Sequence, residues 1–485
     1  MAEVHFVDQT LRDGQQSLWG MQMQAGMALP VTPLIDRVGY AAVDFVGSSM
    51  MEVLVRNRQE DPWEGLDLIA ASMPHSRLRG GMRNTGIISM SVTPTAVMDL
   101  WVRTLCRHGV KSFWVFDMLH WNIDKTNRLA KVAKEFGAEI VAGLMYTLSP
   151  VHTDAFYAEK AKLLSASPDV DGLIVYDASG VLLPARARTL IPAVQKGCHG
   201  KPLEIHCHNV TGLSPLTYLT AIELGITTIH TCSRPLANGA SLPSVEGMVR
   251  NVTLAGHKSA LDARLLEPIA VHFEQVARTA GFPLGVPNEY DLQVFEHQIP
   301  GGMTGTLRNQ LAQHGMEDRL DEVLRETAVV RRELGYPGMA TPFSQLVGIL
   351  AVLNIVTGKR YSVVPDEVIQ YAAGHYGQPV APIDANVLDR IMSAPRAKEV
   401  SSAVPQEPTL AELRRPFGPV SDEELILRLL IPETFIAKMR AAGPVRRDYA
   451  ALASPELERV RQMMTASAAR ELELGSEGLT LSLRR

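Results

Sequence analysis

GLIVYD at residues 172–177, LEIHCH at 203–208 and TTIHT at 227–231 are short, apolar or β-branched runs with stretches of helical length between them. Runs buried on both faces and separated by helices describe parallel strands joined by crossover connections. The unit extends back to the N-terminus. VHFV near Val4, AVDFVG near Val43, SFWVFD ending at Asp117 and AEIVAGLMYT near Val141 continue the series, at roughly the 30-residue spacing of a βαβ repeat. TNRLAKVAKEFG and LTYLTAIELG exemplify the connections. Seven strands are legible, and the eighth falls on the glycine-interrupted segment around Leu78 to Ser89. Eight βα units in about 260 residues predict a TIM (β/α)8 barrel, with a doubly wound open sheet as the alternative.

Beyond residue 265 the pattern changes. Asp318 to Leu334 places Leu320, Val323 and Leu324 on one face with charges between, and SQLVGILAVLNIV and DEELILRLLIPETFIAKM also read as helices. The expected organisation is a barrel over 1–265, a helical domain over 266–393, a Ser/Pro/Ala-rich linker over 394–416, a helical segment over 417–465 and a flexible tail over 466–485.

Composition narrows the function. With 485 residues, 46% hydrophobic and 20% charged, the chain can bury a large core. Its 47 basic against 52 acidic residues give a net charge of −5, which argues against a general nucleic-acid surface. Four scattered cysteines make neither a disulfide framework nor a C-x-x-C pair. No apolar run approaches the roughly 20 residues of a membrane span, and the first residues lack the pattern of a secretion signal, so a cytoplasmic location is expected.

Chemistry concentrates at the strand ends. His206 and His208 are two apart, so on a strand both imidazoles share a face, near the C-terminal mouth where barrel enzymes act. Two such imidazoles suit Zn²⁺, Mn²⁺ or Co²⁺, although a pair of structural histidines is the commoner meaning of H-x-H alone. The turn after the first strand, TLRDGQQS at 10–17, adds Asp13 as a candidate oxygen ligand, Arg12 for a carboxylate or enolate oxygen and Gln16 to orient a substrate. Asp117 and His120, Tyr146 and Thr147, and Pro300 to Gly302 are weaker candidates, each with a structural role at least as expected.

TLRDGQQS together with HCHNVTG resembles the metallolyase barrels. EDPWEGLDLI, PLANGASLPS, HQIPGGMTGTLRNQL, LGYPGMATPFSQLVGILAVLNIVTGKRY and AAGHYGQPVAPID narrow this to a resemblance to the oxaloacetate decarboxylase α-subunit and the pyruvate carboxylase carboxyltransferase domain. It spans about residues 3 to 440. The resemblance implies a TIM barrel followed by a mainly helical domain. It also implies a metal held by Asp13, His206 and His208, and oxo-acid contacts from Arg12, Gln16 and an arginine of the third strand. That arginine is taken as Arg79, with Arg83 as the alternative. The cofactors implied are a divalent metal (Zn, Mn or Co) and biotin on a separate carrier protein. The implied partners are that carrier, a biotin carboxylase subunit, a small carboxylic acid and a second copy of the chain.

Two positions depart from the family pattern. Where the family has a carbamylated lysine as fourth ligand, this chain has Tyr176, which therefore becomes a catalytic candidate. Where the family has a proton-shuttling threonine, it has Ala240, whose methyl cannot relay a proton. Tyr176, Asn238 or water is left to complete the metal shell, and Ser241 replaces the threonine only if the loop shifts by one residue. Lys438, in AKM, is read as an ordinary surface lysine rather than a biotin attachment point. The expected activity is that of a metal-dependent carboxyltransferase subunit acting on a small oxo-acid or an altered acceptor. The alternatives are a biotin-independent metal-dependent lyase, aldolase or decarboxylase, and a non-catalytic carboxylase paralogue.

Overall fold

The computed structural model describes residues 1–88, 90–289, 292–403, 405–449, 471–476 and 479–484. Eight parallel strands are β1 (Glu3–Asp8), β2 (Ala42–Gly47), β3 (Leu78–Arg83), β4 (Ser112–Phe116), β5 (Glu139–Met145), β6 (Gly172–Asp177), β7 (Leu203–Cys207) and β8 (Thr228–Thr231). Each pairs with its sequence neighbour. β8 returns to β1 in the register His5↔Thr228 to Asp8↔Thr231, which closes the barrel. The expected TIM barrel is therefore present, and an open doubly wound sheet is not.

The least strand-like sequence, Leu-Arg-Gly-Gly-Met-Arg, forms β3 with every residue buried. Its glycines answer to a neighbour rather than to propensity. A Cβ on Gly81 would lie 2.5 Å from the indole of Trp114, and one on Gly80 would lie 3.0 Å from Val46. Trp114 is wholly buried and fills the barrel beside that gap.

Apolar packing among the described residues divides into two large clusters, beside a small one of Cys232, Ala237 and Leu242. One lies between the strands and their outer helices; the other joins inward-facing Trp114, Val141, Ile174 and Tyr176 to the helices after residue 298. At the centre of the second is the helix Phe343–Thr357, apolar on nearly every side and buried against Leu320–Glu333 and Gly301–Ala312. Part of the barrel lumen thus packs directly against the helical core.

The expected boundaries shift. The helix Leu266–Ala280 packs in the outer barrel shell through Leu266, Ile269 and Phe273, so the barrel unit continues past residue 265. The expected linker holds two short helices, Ala397–Ser402 and Leu410–Arg414. The second begins with a capping box in which Thr409 and Glu412 satisfy each other's end groups. Helices Asp422–Leu430 and Glu433–Ala442 dock back onto the barrel shell through Leu425, Ile426, Ile436 and Met439. Full burial of each contributes about 1.5–3 kcal/mol. Part of the segment expected as helical, 450–465, lies outside the described residues. The C-terminal stretch expected to be flexible forms an antiparallel pair, Glu471–Ser476 with Leu479–Arg484. Among the described residues no helix is long and apolar enough to cross a membrane.

Candidate active site at the barrel mouth

The chain leaves β1 through a π-helical turn, Thr10–Gly14, in which all five residues are buried. Such turns are rare and frequent at functional sites. This one delivers Arg12 and Asp13 to the barrel axis, and each makes contacts there. Arg12 Nη2 donates to Asp13 Oδ2 at 3.0 Å, Arg12 Nε lies 3.4 Å from Asp44 Oδ2, and the guanidinium stands 4.6 Å over the Trp114 ring. A Cβ on Gly47 would reach within 3.0 Å of Arg12 Cδ, so that glycine makes room for the stem. Asp44 also accepts from Trp114 Nε1 at 2.7 Å.

Asp13 is where the two ends of the sequence motif meet. Its Oδ2 lies 3.1 Å from His206 Nε2, 3.3 Å from His208 Nε2 and 3.2 Å from the Tyr176 hydroxyl. Its Oδ1 accepts from Ser17 at 2.9 Å. Burial pushes Asp13 up, but the neighbouring Arg12 guanidinium acts against it, and the carboxyl is held well below its usual range. Burial and the neighbouring Asp13 charge push Tyr176 well above an ordinary phenol, so at neutral pH it is a hydrogen-bond donor. Its ring stacks at 4.8 Å on Trp114 and lies 4.3 Å from His206.

This donor set fits a divalent cation, and the fit can be tested on lone pairs. His208 Nδ1 lies 2.7 Å from the Ala240 carbonyl oxygen, which only accepts, so Nδ1 carries a hydrogen, and in the neutral ring that a metal ligand requires Nε2 is a lone pair facing Asp13. His206 Nε2 is wholly buried with no hydrogen-bond partner and faces the same oxygen. Acceptors turned toward one carboxylate oxygen need a positive centre between them. Their 3.1 and 3.3 Å separations match the edge of about 3.3 Å of a tetrahedron with 2.0–2.1 Å bonds. Asp13, His206 and His208 are the only such group of three among the described residues.

Above them opens a cavity with about 360 Å³ of room for water, walled by Arg12, Gln16, Ser48, Arg83, Phe116 and Tyr176 and roofed by Pro300, Met303, Ala340 and Thr341 of the helical part. Arg12 Nη1 donates to Gln16 Oε1 at 3.4 Å. Arg83 is buried in this wall; burial lowers it to about 10, with Glu52 acting in the opposite sense. Arg79, the arginine expected here, is elsewhere. It lies four residues deeper on the same strand, where Glu204 accepts from it at 2.7 Å, Glu139 accepts at 3.0 Å, and its Nε donates to Ser112 at 2.8 Å. The cavity-facing arginine of β3 is thus Arg83 by position.

The other candidates resolve as follows. Asn238 and Ser241 turn away from Asp13: Asn238 Oδ1 accepts from Asn209, and the Ser241 hydroxyl faces Cys232 Sγ at 3.5 Å. Asp117 caps its own turn, and His120 accepts from the Met145 amide. Thr147 joins the helical part through Gln298 and Arg331. Lys438 lies inside the helix Glu433–Ala442. Sequence reasoning missed Asp44, Ser48, Trp114 and His230. Asp44 and His230 each stand at an alternate, inward position of a legible strand, which was the available signal.

Comparison with known proteins agrees with this architecture. Residues 294–477 match the model of a conserved carboxylase domain. The chain is 34% identical over 392 residues to a pyruvate carboxylase subunit of Methanocaldococcus jannaschii, covering 80% of this chain and 68% of that one. It is 30% identical to the 2-oxoglutarate carboxylase large subunit of Hydrogenobacter thermophilus (89% and 67% covered) and 31% identical to the methylmalonyl-CoA carboxyltransferase 5S subunit of Propionibacterium freudenreichii (80% and 76%). Its fold matches the carboxyl transferase domain of Rhizobium etli pyruvate carboxylase with a TM-score of 0.83 at 23% identity, covering 99% of this chain and 84% of that one. The chain therefore belongs to the family of carboxyltransferase subunits of biotin-dependent carboxylases.

Proposed function

We propose that this chain is a metal-dependent carboxyltransferase subunit that exchanges a carboxyl group between biotin, carried on a separate chain, and a small carboxylate acceptor. The observation that carries the reading is the pair of imidazole lone pairs converging on Asp13 Oδ2 at the floor of an arginine-walled cavity. Asp13, His206 and His208 would hold the cation, which supplies Lewis-acid polarisation of an acceptor oxygen when bound. The chain's own groups do the rest. Arg83, desolvated in the wall, is placed to take a carboxylate. Arg12 is fixed between Asp13 and Asp44 and presents positive charge where an enolate oxygen develops, and Gln16 extends that edge. The helical roof covers the cavity from the far side.

The relatives' names cover pyruvate, 2-oxoglutarate and methylmalonyl-CoA chemistry, so the acceptor is set by the site rather than by the family. Tyr176 offers no amine for a carbamate, and Ala240 offers no hydroxyl. We therefore take the acceptor to be one whose carboxylation does not depend on those two groups.

The test combines the purified chain with a biotinylated carrier, a biotin carboxylase, ATP and labelled bicarbonate over a panel of 2-oxo acids and acyl thioesters. Label fixed into one acceptor, and lost after chelation, supports the reading. Decarboxylation or carbon–carbon cleavage by the chain alone, with no carrier present, would replace it with a biotin-independent lyase. The double variant Tyr176→Lys, Ala240→Thr is expected to gain oxaloacetate decarboxylation.

A further inference from the structure

A line of buried polar groups climbs the inside of the barrel from its floor to His206. Arg79 on β3 grips Glu204 on β7 through Nη1 at 2.7 Å and Nη2 at 3.2 Å. Glu204 Oε2 lies 2.8 Å from His230 Nε2 on β8. The other ring nitrogen, His230 Nδ1, lies 3.0 Å from the Gln9 side-chain amide nitrogen and 3.1 Å from His206 Nδ1. Gln9, His206 and His230 are fully buried and Arg79 nearly so.

These contacts fix where the hydrogens lie. A carboxylate held ionised by a guanidinium only accepts, so His230 carries its hydrogen on Nε2. In the neutral ring Nδ1 is then a lone pair, which suits the donating amide of Gln9. The nitrogen facing it at 3.1 Å, His206 Nδ1, is the second donor to that one lone pair, which it shares with the Gln9 amide, since two ring lone pairs would repel at this distance. That leaves His206 Nε2 as a lone pair directed at Asp13, which agrees with its lack of any hydrogen-bond partner. The order carboxylate–histidine–ligating histidine is an outer-shell arrangement of the kind that orients metal ligands and raises their basicity.

We propose that His230 is a positioning residue: it holds His206 as the Nδ1–H tautomer and fixes its ring plane so that Nε2 is presented to the cation, and Glu204 and Arg79 hold His230 in turn. This rests on the cation site proposed above, and the test separates the two. Wild type, His230→Leu and His230→Asn are titrated with Co²⁺ alone, following the visible spectrum and the dissociation constant. The asparagine amide oxygen can replace the Nδ1 lone pair; leucine cannot. Expected are stoichiometric binding by wild type, a 10- to 100-fold weaker constant for His230→Leu, and a constant near wild type for His230→Asn.

Unchanged affinity in His230→Leu leaves the metal site standing and overturns the relay, as does equal loss in both variants. No Co²⁺ bound by wild type overturns both. Should His230→Leu not fold, long-range ¹H–¹⁵N correlation on metal-free wild type labelled at histidine decides. The expected tautomers are Nε2–H for His230 and Nδ1–H for His206, and a hydrogen on His206 Nε2 overturns the proposal.

Discussion

Arg79 and Arg83 stand on the same strand and the same face, four residues or about 13 Å apart, yet they belong to different problems. Arg79, at the floor, is neutralised by Glu204 and Glu139 and held by Ser112. Arg83, at the mouth, is equally buried but faces a cavity open to a ligand, and burial lowers it where the floor's carboxylates raise Arg79. The difference teaches that burial alone does not separate a structural charge from a functional one. What separates them is what each one faces: Arg79 two carboxylates of the barrel floor, Arg83 the cavity at the mouth.

The contrast can be broken most forcefully from below. Arg79→Leu strands Glu204 in the barrel interior and is expected to cost about 3–5 kcal/mol of stability, the usual result of removing one partner of a buried pair. Denaturant unfolding checks it. Arg83→Met should do the reverse. The stability loss is expected to be the smaller of the two, about 1 kcal/mol, while kcat/KM for the acceptor falls about 100-fold, roughly 2.7 kcal/mol. Equal stability losses in the two variants would erase the distinction. Between the two arginines, Gly81→Ala drives a methyl into Trp114 and is expected to cost about 1–3 kcal/mol, measured by thermal unfolding.

The smallest effect extends the rule to a carboxyl. Glu60 is buried under the amide donors of Ala25 and Gln24, and burial raises it from 4.5 to about 7. A carboxyl raised on folding favours the folded state fully below its unfolded value, and that contribution is lost as pH rises through about 7. Wild type should therefore lose on the order of 1 kcal/mol between pH 5 and 8 that Glu60→Gln retains, read from Tm against pH.

Much of this was legible in the chain. Seven strands announce themselves by β-branched runs, and the H-x-H and L-R-D motifs mark three donors that do converge. β3 was obscure because its glycines respond to Trp114 across the barrel, which no local pattern records. Period-two alternation places Arg79 and Arg83 on one face and so cannot choose between them; the choice lies in depth, and depth depends on Glu204, 125 residues away. The Thr409–Glu412 capping box and the alternation of ELEL and LTLSL were visible signals that composition outweighed.

Ile299, Met303, Met339 and Ala340 belong to the same apolar cluster as Tyr176 and Ala178. The ceiling over the reacting groups is thus encoded far downstream of the floor. Drift in those later codons can resize the chamber for a bulkier or slimmer guest while the ion-holding machinery stays untouched. An excised barrel ending at residue 280, by contrast, would expose an oily rim and should clump rather than turn over substrate.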